Sequence, residues 1–127
     1  MPHPQPRVLV LEDNPALAES IEFALATFGL QVVGPFEGND SASQRIRAGE
    51  VDVAVLDLEL GDGTSIPTAS QLRAAGLPFL FMSGHDMDEQ VPAEFQNEMS
   101  LPKPVEPEIL VDAIRELLAA CSSPKTA

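Results

Sequence analysis

Arg7 to Pro15 reads RVLVLEDNP. A short, valine-rich and nearly all-apolar run gives way at once to two carboxylates, an asparagine and a proline. A run of that kind fits a strand buried on both faces of a parallel sheet, where no solvent-facing alternation is required. Asn14 can cap a helix, and Pro15 suits its first position because the amide hydrogen it lacks would have no intrahelical partner there. Leu17, Ile21, Leu25 and Phe28 then fall on one face, which predicts a helix over Pro15–Phe28 that stops at Gly29.

Working outward, the same strand-then-helix unit recurs. Gln31–Gly34 reads as a second strand, and Ser41–Ala48 as a helix with a thin stripe of Ala42 and Ile46. Val53–Leu56 (VAVL) is a third buried strand, followed by a glycine-bearing loop and a helix over Pro67–Ala75 with Gly76 as its stop. Phe79–Met82 (FLFM) gives a fourth strand and Met99–Leu101 a short fifth. The closing helix spans Pro107–Ala120, with Ile109/Leu110, Ala113/Ile114 and Leu117/Leu118 forming one stripe. Between these, Asp86–Glu98 (DMDEQVPAEFQNE) is acidic, poor in apolar residues and interrupted by Pro92, and reads as a short, broken or mobile fourth helix. Five βα units in 127 residues imply one α/β domain, a parallel sheet with helices on both faces. The expected boundaries are a disordered start over 1–6, a domain over 7–121 and a tail over 122–127.

The chain is 44% hydrophobic but only 5% aromatic, without Trp or Tyr, so its core must come from aliphatic side chains and six Phe. Seven basic against twenty acidic residues give a formal charge of −13, which repels a phosphate backbone or an anionic lipid surface. No direct nucleic-acid contact and no membrane contact are expected. No apolar run approaches the roughly 20 residues of a spanning helix, and MPHPQP lacks the charged-then-apolar order of a signal peptide. The lone Cys121 cannot form an internal disulfide and suits a reducing cytoplasm, the expected location. His3 and His85 read as incidental.

Ligands of open α/β sheets bind beyond the carboxyl ends of the strands. There the sequence places Glu12 and Asp13 after strand one, Asp57 after strand three, Ser83 after strand four and Lys103 after strand five. Singly, each is an ordinary turn residue, cap or solvated charge. Jointly, three carboxylates in one place repel one another, and either one holds its proton or a hard cation sits among them. Mg²⁺ takes oxygen ligands and is commonly held by one or two carboxylates. Asp57 could then act as a nucleophile toward a phosphoryl group, with Lys103 as a compact positive charge and Ser83 as a hydroxyl donor.

The stretches VLVLEDN, VLDLELGDG, FMSG and LPKPV resemble, in order and over nearly the whole chain, the motifs of bacterial response-regulator receiver domains. The resemblance implies the flavodoxin-like (βα)5 fold with strand order 2-1-3-4-5. It implies that Glu12, Asp13, Asp57 and the backbone carbonyl of Glu59 hold Mg²⁺. Asp57 would accept phosphate from a phosphohistidine of a histidine kinase or histidine phosphotransferase, and Ser83 and Lys103 would bind the phosphoryl group. It further implies a cis Lys103–Pro104 bond, a signalling role rather than an enzymatic one, and an unidentified downstream protein partner. TSIPTASQLRAAGLPFLFMSG is also similar to single-domain receivers with a Pro-Phe-x-Phe-Ala-Thr-Gly motif, Met82 and Ser83 replacing Ala and Thr. The closing helix ends close to the C-terminus, so no output domain is expected.

Two departures stand out: the Asp57–Ser83 interval is short, and Ser100 occupies the position three before Lys103 where receivers usually carry an aromatic switch residue. Two other readings remain open from sequence. One is a receiver-like docking module that does not depend on phosphorylation. The other is a Mg²⁺-dependent phosphohydrolase using Asp57-Leu58-Glu59, although such nucleophiles usually follow the first strand.

Overall fold

The computed structural model describes residues 5–61, 63–84 and 91–122. Its elements run β1 (Arg7–Leu11), α1 (Pro15–Thr27), β2 (Gln31–Phe36), α2 (Asn39–Arg47), β3 (Val53–Asp57), β4 (Glu59–Leu60), β5 (Gly63–Thr64), α3 (Ile66–Ala75), β6 (Phe79–Ser83), β7 (Ser100–Pro102) and α4 (Pro107–Ser122). A five-stranded parallel sheet has the order β2-β1-β3-β6-β7, and β4 with β5 forms a separate antiparallel hairpin. Counted without that hairpin, the order is the expected 2-1-3-4-5.

Alternation along each strand assigns its side chains to two cores. Leu9, Leu11, Ala54, Leu56, Phe79 and Phe81 pack with Ala42 and Ile46 of α2 and Leu72 of α3 on one face. Val8, Val10, Val53, Val55, Leu80 and Met82 pack with Ile21 and Leu25 of α1 and Leu110 and Ile114 of α4 on the other. Both faces are therefore apolar, which is why the strands read as unbroken hydrophobic runs.

The expected elements appear, with instructive shifts. Asn14 caps α1 as foreseen, its Oδ1 accepting from the amides of Ala16 (3.0 Å) and Leu17 (3.2 Å). Phe28, placed on the apolar face from its spacing, instead follows the helix and is 36% exposed. In α4 the stripe is rotated: Val111 is buried whereas Ile109 is 51% exposed. β2 continues past Gly34 to Phe36 through a register shift against β1. The edge position of β2 tolerates Pro35, which has no amide to donate. Gly34 is required there, because it has φ +107° and a β-carbon would meet the Phe36 amide nitrogen at 2.8 Å. Pro6 carbonyl accepts from the Gln31 amide at 2.9 Å, so the chain joins the sheet just ahead of β1.

The expected fourth helix is not found among the described residues; the described part of that connection is a 3-10 turn at Ala93–Phe95. Nor is that part loosely held. Val91 and Phe95 are buried, and the Phe95 ring lies 6.2 Å from that of Phe79 and 6.3 Å from that of Phe81. Arg73 of α3 stacks over Phe95 at 4.2 Å, donates to the Glu94 carbonyl at 2.9 Å and pairs with Glu98. Two apolar anchors suffice where the composition offers few, because both are buried in the core that holds Phe79 and Phe81. Residues 1–4 and 123–127, His3, His85, Asp86–Gln90 and the Cys121 side chain lie outside the described residues.

Phe95→Ala is expected to cost about 3 to 5 kcal/mol through the cavity left among Phe79 and Phe81, read as a fall in the urea unfolding midpoint. A loss below about 1 kcal/mol would show that the turn is not anchored this way.

Candidate functional site

β1, β3, β6 and β7 end at the same edge of the sheet, and each delivers a polar residue there. Main-chain bonds fix where they arrive: the Glu12 amide donates to Phe36 carbonyl and the Lys103 amide to Ser83 carbonyl, both at 2.9 Å. Asp57 pairs in register with Met82, so Ser83 stands one residue beyond it on the neighbouring strand. Glu12, Asp57 and Ser83 are buried, while Asp13, Glu59 and Lys103 are half-buried.

Glu12, Asp13 and Asp57 each contribute one carboxylate oxygen to a group lying within 4.8 Å of one another. Lys103 Nζ stands 3.1 Å from Asp57 Oδ2 and 3.2 Å from Glu12 Oε1. The other oxygens are held by the main chain: the Asn14 amide donates to Glu12 Oε2 at 3.0 Å, and the Glu59 amide donates to Asp57 Oδ1 at 3.2 Å. Glu12 Oε1 is left fully buried, with the lysine charge nearby but no hydrogen bond of proper geometry. A buried acceptor without a hydrogen bond is costly. A hard divalent cation would satisfy it, and an all-carboxylate donor set is the chemistry such ions select. The residues present therefore fit Mg²⁺.

Burial pushes the Glu12 carboxyl above the usual glutamate range, and its contact with Asp57 adds to the shift against the opposing Asn14 amide and Lys103. For Lys103, burial acts to lower the pKa, but the pairing with Asp57 and Glu12 outweighs it and holds the ammonium above the ordinary lysine range. The lysine is thus a fixed cation at neutral pH.

The sequence profile described as "Response regulator receiver domain" matches residues 8–115. The chain belongs to this family. Among its relatives, the transcriptional regulatory protein DltR of Streptococcus agalactiae is 34% identical over 61% of this chain and 35% of its own length. The probable transcriptional regulatory protein TcrX of Mycobacterium tuberculosis is 36% identical over 65% of this chain and 36% of its own. The chain thus spans about a third of the length of these two curated relatives. Among solved structures, SdrG from Sphingomonas melonis Fr1 superposes with a TM-score of 0.77 at 30% identity, covering 92% of this chain and 99% of that one. The receiver domain of a modulated diguanylate cyclase from Desulfovibrio desulfuricans G20 gives 0.81 at 27%, covering 92% and 96%.

Seen as a receiver, the domain brings Glu12, Asp13, Asp57 and Lys103 into one cluster with Ser83 at its border, and the Lys103–Pro104 bond is cis as in the family resemblance. Ser100 lies in β7 opposite Phe81, so no ring stands at the usual switch position. The spacing pattern missed the two amides of Asn14 and Glu59 that orient Glu12 and Asp57. Main-chain donors leave no residue-type signal, and only the turn geometry reveals them.

Because its folded-state pKa is raised, Glu12 contributes stability that is fully present below the ordinary glutamate value and is lost as pH rises through the raised one. In EDTA, wild type is therefore expected to lose stability relative to Glu12→Gln across that window, seen as a declining difference in urea midpoints. A difference independent of pH would contradict the burial of an ionisable group at this position.

Proposed function

We propose that Asp57 accepts a phosphoryl group from a phosphohistidine of a histidine kinase or histidine phosphotransferase, and that the domain signals its phosphorylation state through protein contacts. The observation that carries this reading is Asp57 itself. It is a buried carboxylate with one oxygen on a main-chain amide and the other 3.1 Å from a lysine, grouped with two further acids. In the transfer, a bond forms from an Asp57 oxygen to phosphorus as the donor nitrogen–phosphorus bond breaks, and the imidazole keeps the electron pair. Lys103 loses part of its pairing with Asp57 as that carboxylate becomes an acyl phosphate, and its charge becomes available to a phosphoryl oxygen. Ser83, at the end of the adjacent strand, supplies a hydroxyl donor on that side. Glu12, Asp13, Asp57 and the Glu59 carbonyl would hold Mg²⁺, which when bound neutralises charge on the phosphoryl oxygens.

A docking module indifferent to phosphate has no need of this arrangement, since burying Glu12 and Asp57 beside the half-buried Asp13 in a chain of charge −13 costs stability with no return. No described helix is long and apolar enough to cross a membrane. The surface is strongly acidic overall, and a protein partner bearing basic groups suits it better than a polyanion.

Incubation with acetyl phosphate and Mg²⁺ followed by intact mass measurement is expected to show a single phosphoryl addition to wild type and none to Asp57→Asn. Labelling that survives in Asp57→Asn, or fails in wild type, would remove the proposed activity.

A further inference from the structure

Directly after Asp57 the chain folds back on itself: Glu59 pairs with Thr64 and Leu60 with Gly63 in the β4–β5 hairpin. This hairpin touches the site twice. At its start the Glu59 amide holds Asp57 Oδ1. At its turn, Gly61 lies so close to Asp13 that a β-carbon there would stand 3.2 Å from Asp13 Oδ2, closer than most real contacts of that kind. The Gly61 backbone is outside the left-handed region, so the position uses the missing side chain rather than the conformational freedom of glycine.

The far end of the hairpin is tied down. Asn39 of α2 donates from Nδ2 to the Thr64 carbonyl at 3.0 Å, and its Oδ1 accepts from Thr68 Oγ1 of α3 at 2.5 Å. Leu58 and Leu60 are buried in the core beneath, and the Ser65 amide closes back onto the Leu58 carbonyl at 3.1 Å. The segment is therefore a wall braced by two helices. Asp13 needs such a wall. Among the described residues its carboxylate takes no hydrogen bond, unlike those of Glu12 and Asp57.

We propose that the β4–β5 hairpin is the positioning wall of the cation site and that Gly61 is its positioning residue, letting the Asp13 oxygen stay where it can share an ion with Glu12 and Asp57. This rests on the Mg²⁺ reading above and adds to it the element that sets the ligand geometry. A β-carbon at Gly61 forces Asp13 Oδ2 to give by a few tenths of an ångström. Mg²⁺, which demands near-ideal octahedral geometry, is sensitive to such a shift, whereas Ca²⁺ accepts longer and more variable bonds.

The test uses the full chain stripped of metal and titrated with MgCl₂ or CaCl₂, with binding followed by amide NMR shifts. Gly61→Ala is expected to weaken Mg²⁺ binding on the order of tenfold, as losses at residues that orient metal ligands do, and to weaken Ca²⁺ binding clearly less. Its melting temperature in EDTA should be unchanged or higher. Asn39→Ala, remote from the ion, should weaken Mg²⁺ in the same direction by a smaller factor. Gly38→Ala, where a β-carbon meets nothing within 4 Å, should leave it unchanged. Unaltered Mg²⁺ affinity in Gly61→Ala, or equal loss for both ions, overturns the role of the hairpin while leaving the proposed function standing. A wild-type chain that does not bind Mg²⁺ overturns the underlying reading and this inference together.

Discussion

Lys103 joins the last strand of the sheet to the carboxylates of the first and third, and the chemistry of the domain depends on that cross-sheet contact. Its ammonium meets Asp57 at 3.1 Å and Glu12 at 3.2 Å. Two like charges about 4 Å apart repel by about 4 kcal/mol at an effective dielectric of about 20. Three carboxylates packed within 4.8 Å therefore exceed what one lysine offsets. The cluster is poised to bind a further cation, and the proton affinity of Glu12 is raised first by its burial and further by its contact with Asp57.

The rest of the fold makes this imbalance tolerable. Two apolar cores flank the sheet and bury β1, β3 and β6 on both faces, so the polar groups can gather only where the strands stop. Amides released at those ends, Asn14 leading into α1 and Glu59 leading into the hairpin, orient the carboxylates instead of pairing within the sheet. A site built this way inherits the rigidity of the sheet.

At the opposite flank, the connection from β6 to β7 is held by Phe95, Val91 and the Arg73 contacts. β6 carries Phe79, Phe81 and Ser83 at alternate positions, so the strand that presents the site hydroxyl also forms the seat of Phe95. Ser100, at the usual aromatic position, pairs in register with Phe81 of this cluster. The composition of Asp86–Glu98 could not disclose it. Val91 and Phe95 matter because of what they pack against, and the aromatic partners of Phe95 lie in β6.

By itself the sequence determined the five strands of the main sheet, the four helices packed on them and the identity of the five polar residues at the sheet edge, but not the β4–β5 hairpin. Unbroken apolar runs, caps and stops are local properties written in residue type. The rotation of the α4 stripe, the bulge at Gly34, the anchored 3-10 turn and the close approach of Gly61 to Asp13 were decided only in the tertiary structure. Each depends on a distance between residues far apart in the chain, and spacing along one segment carries no information about such a distance.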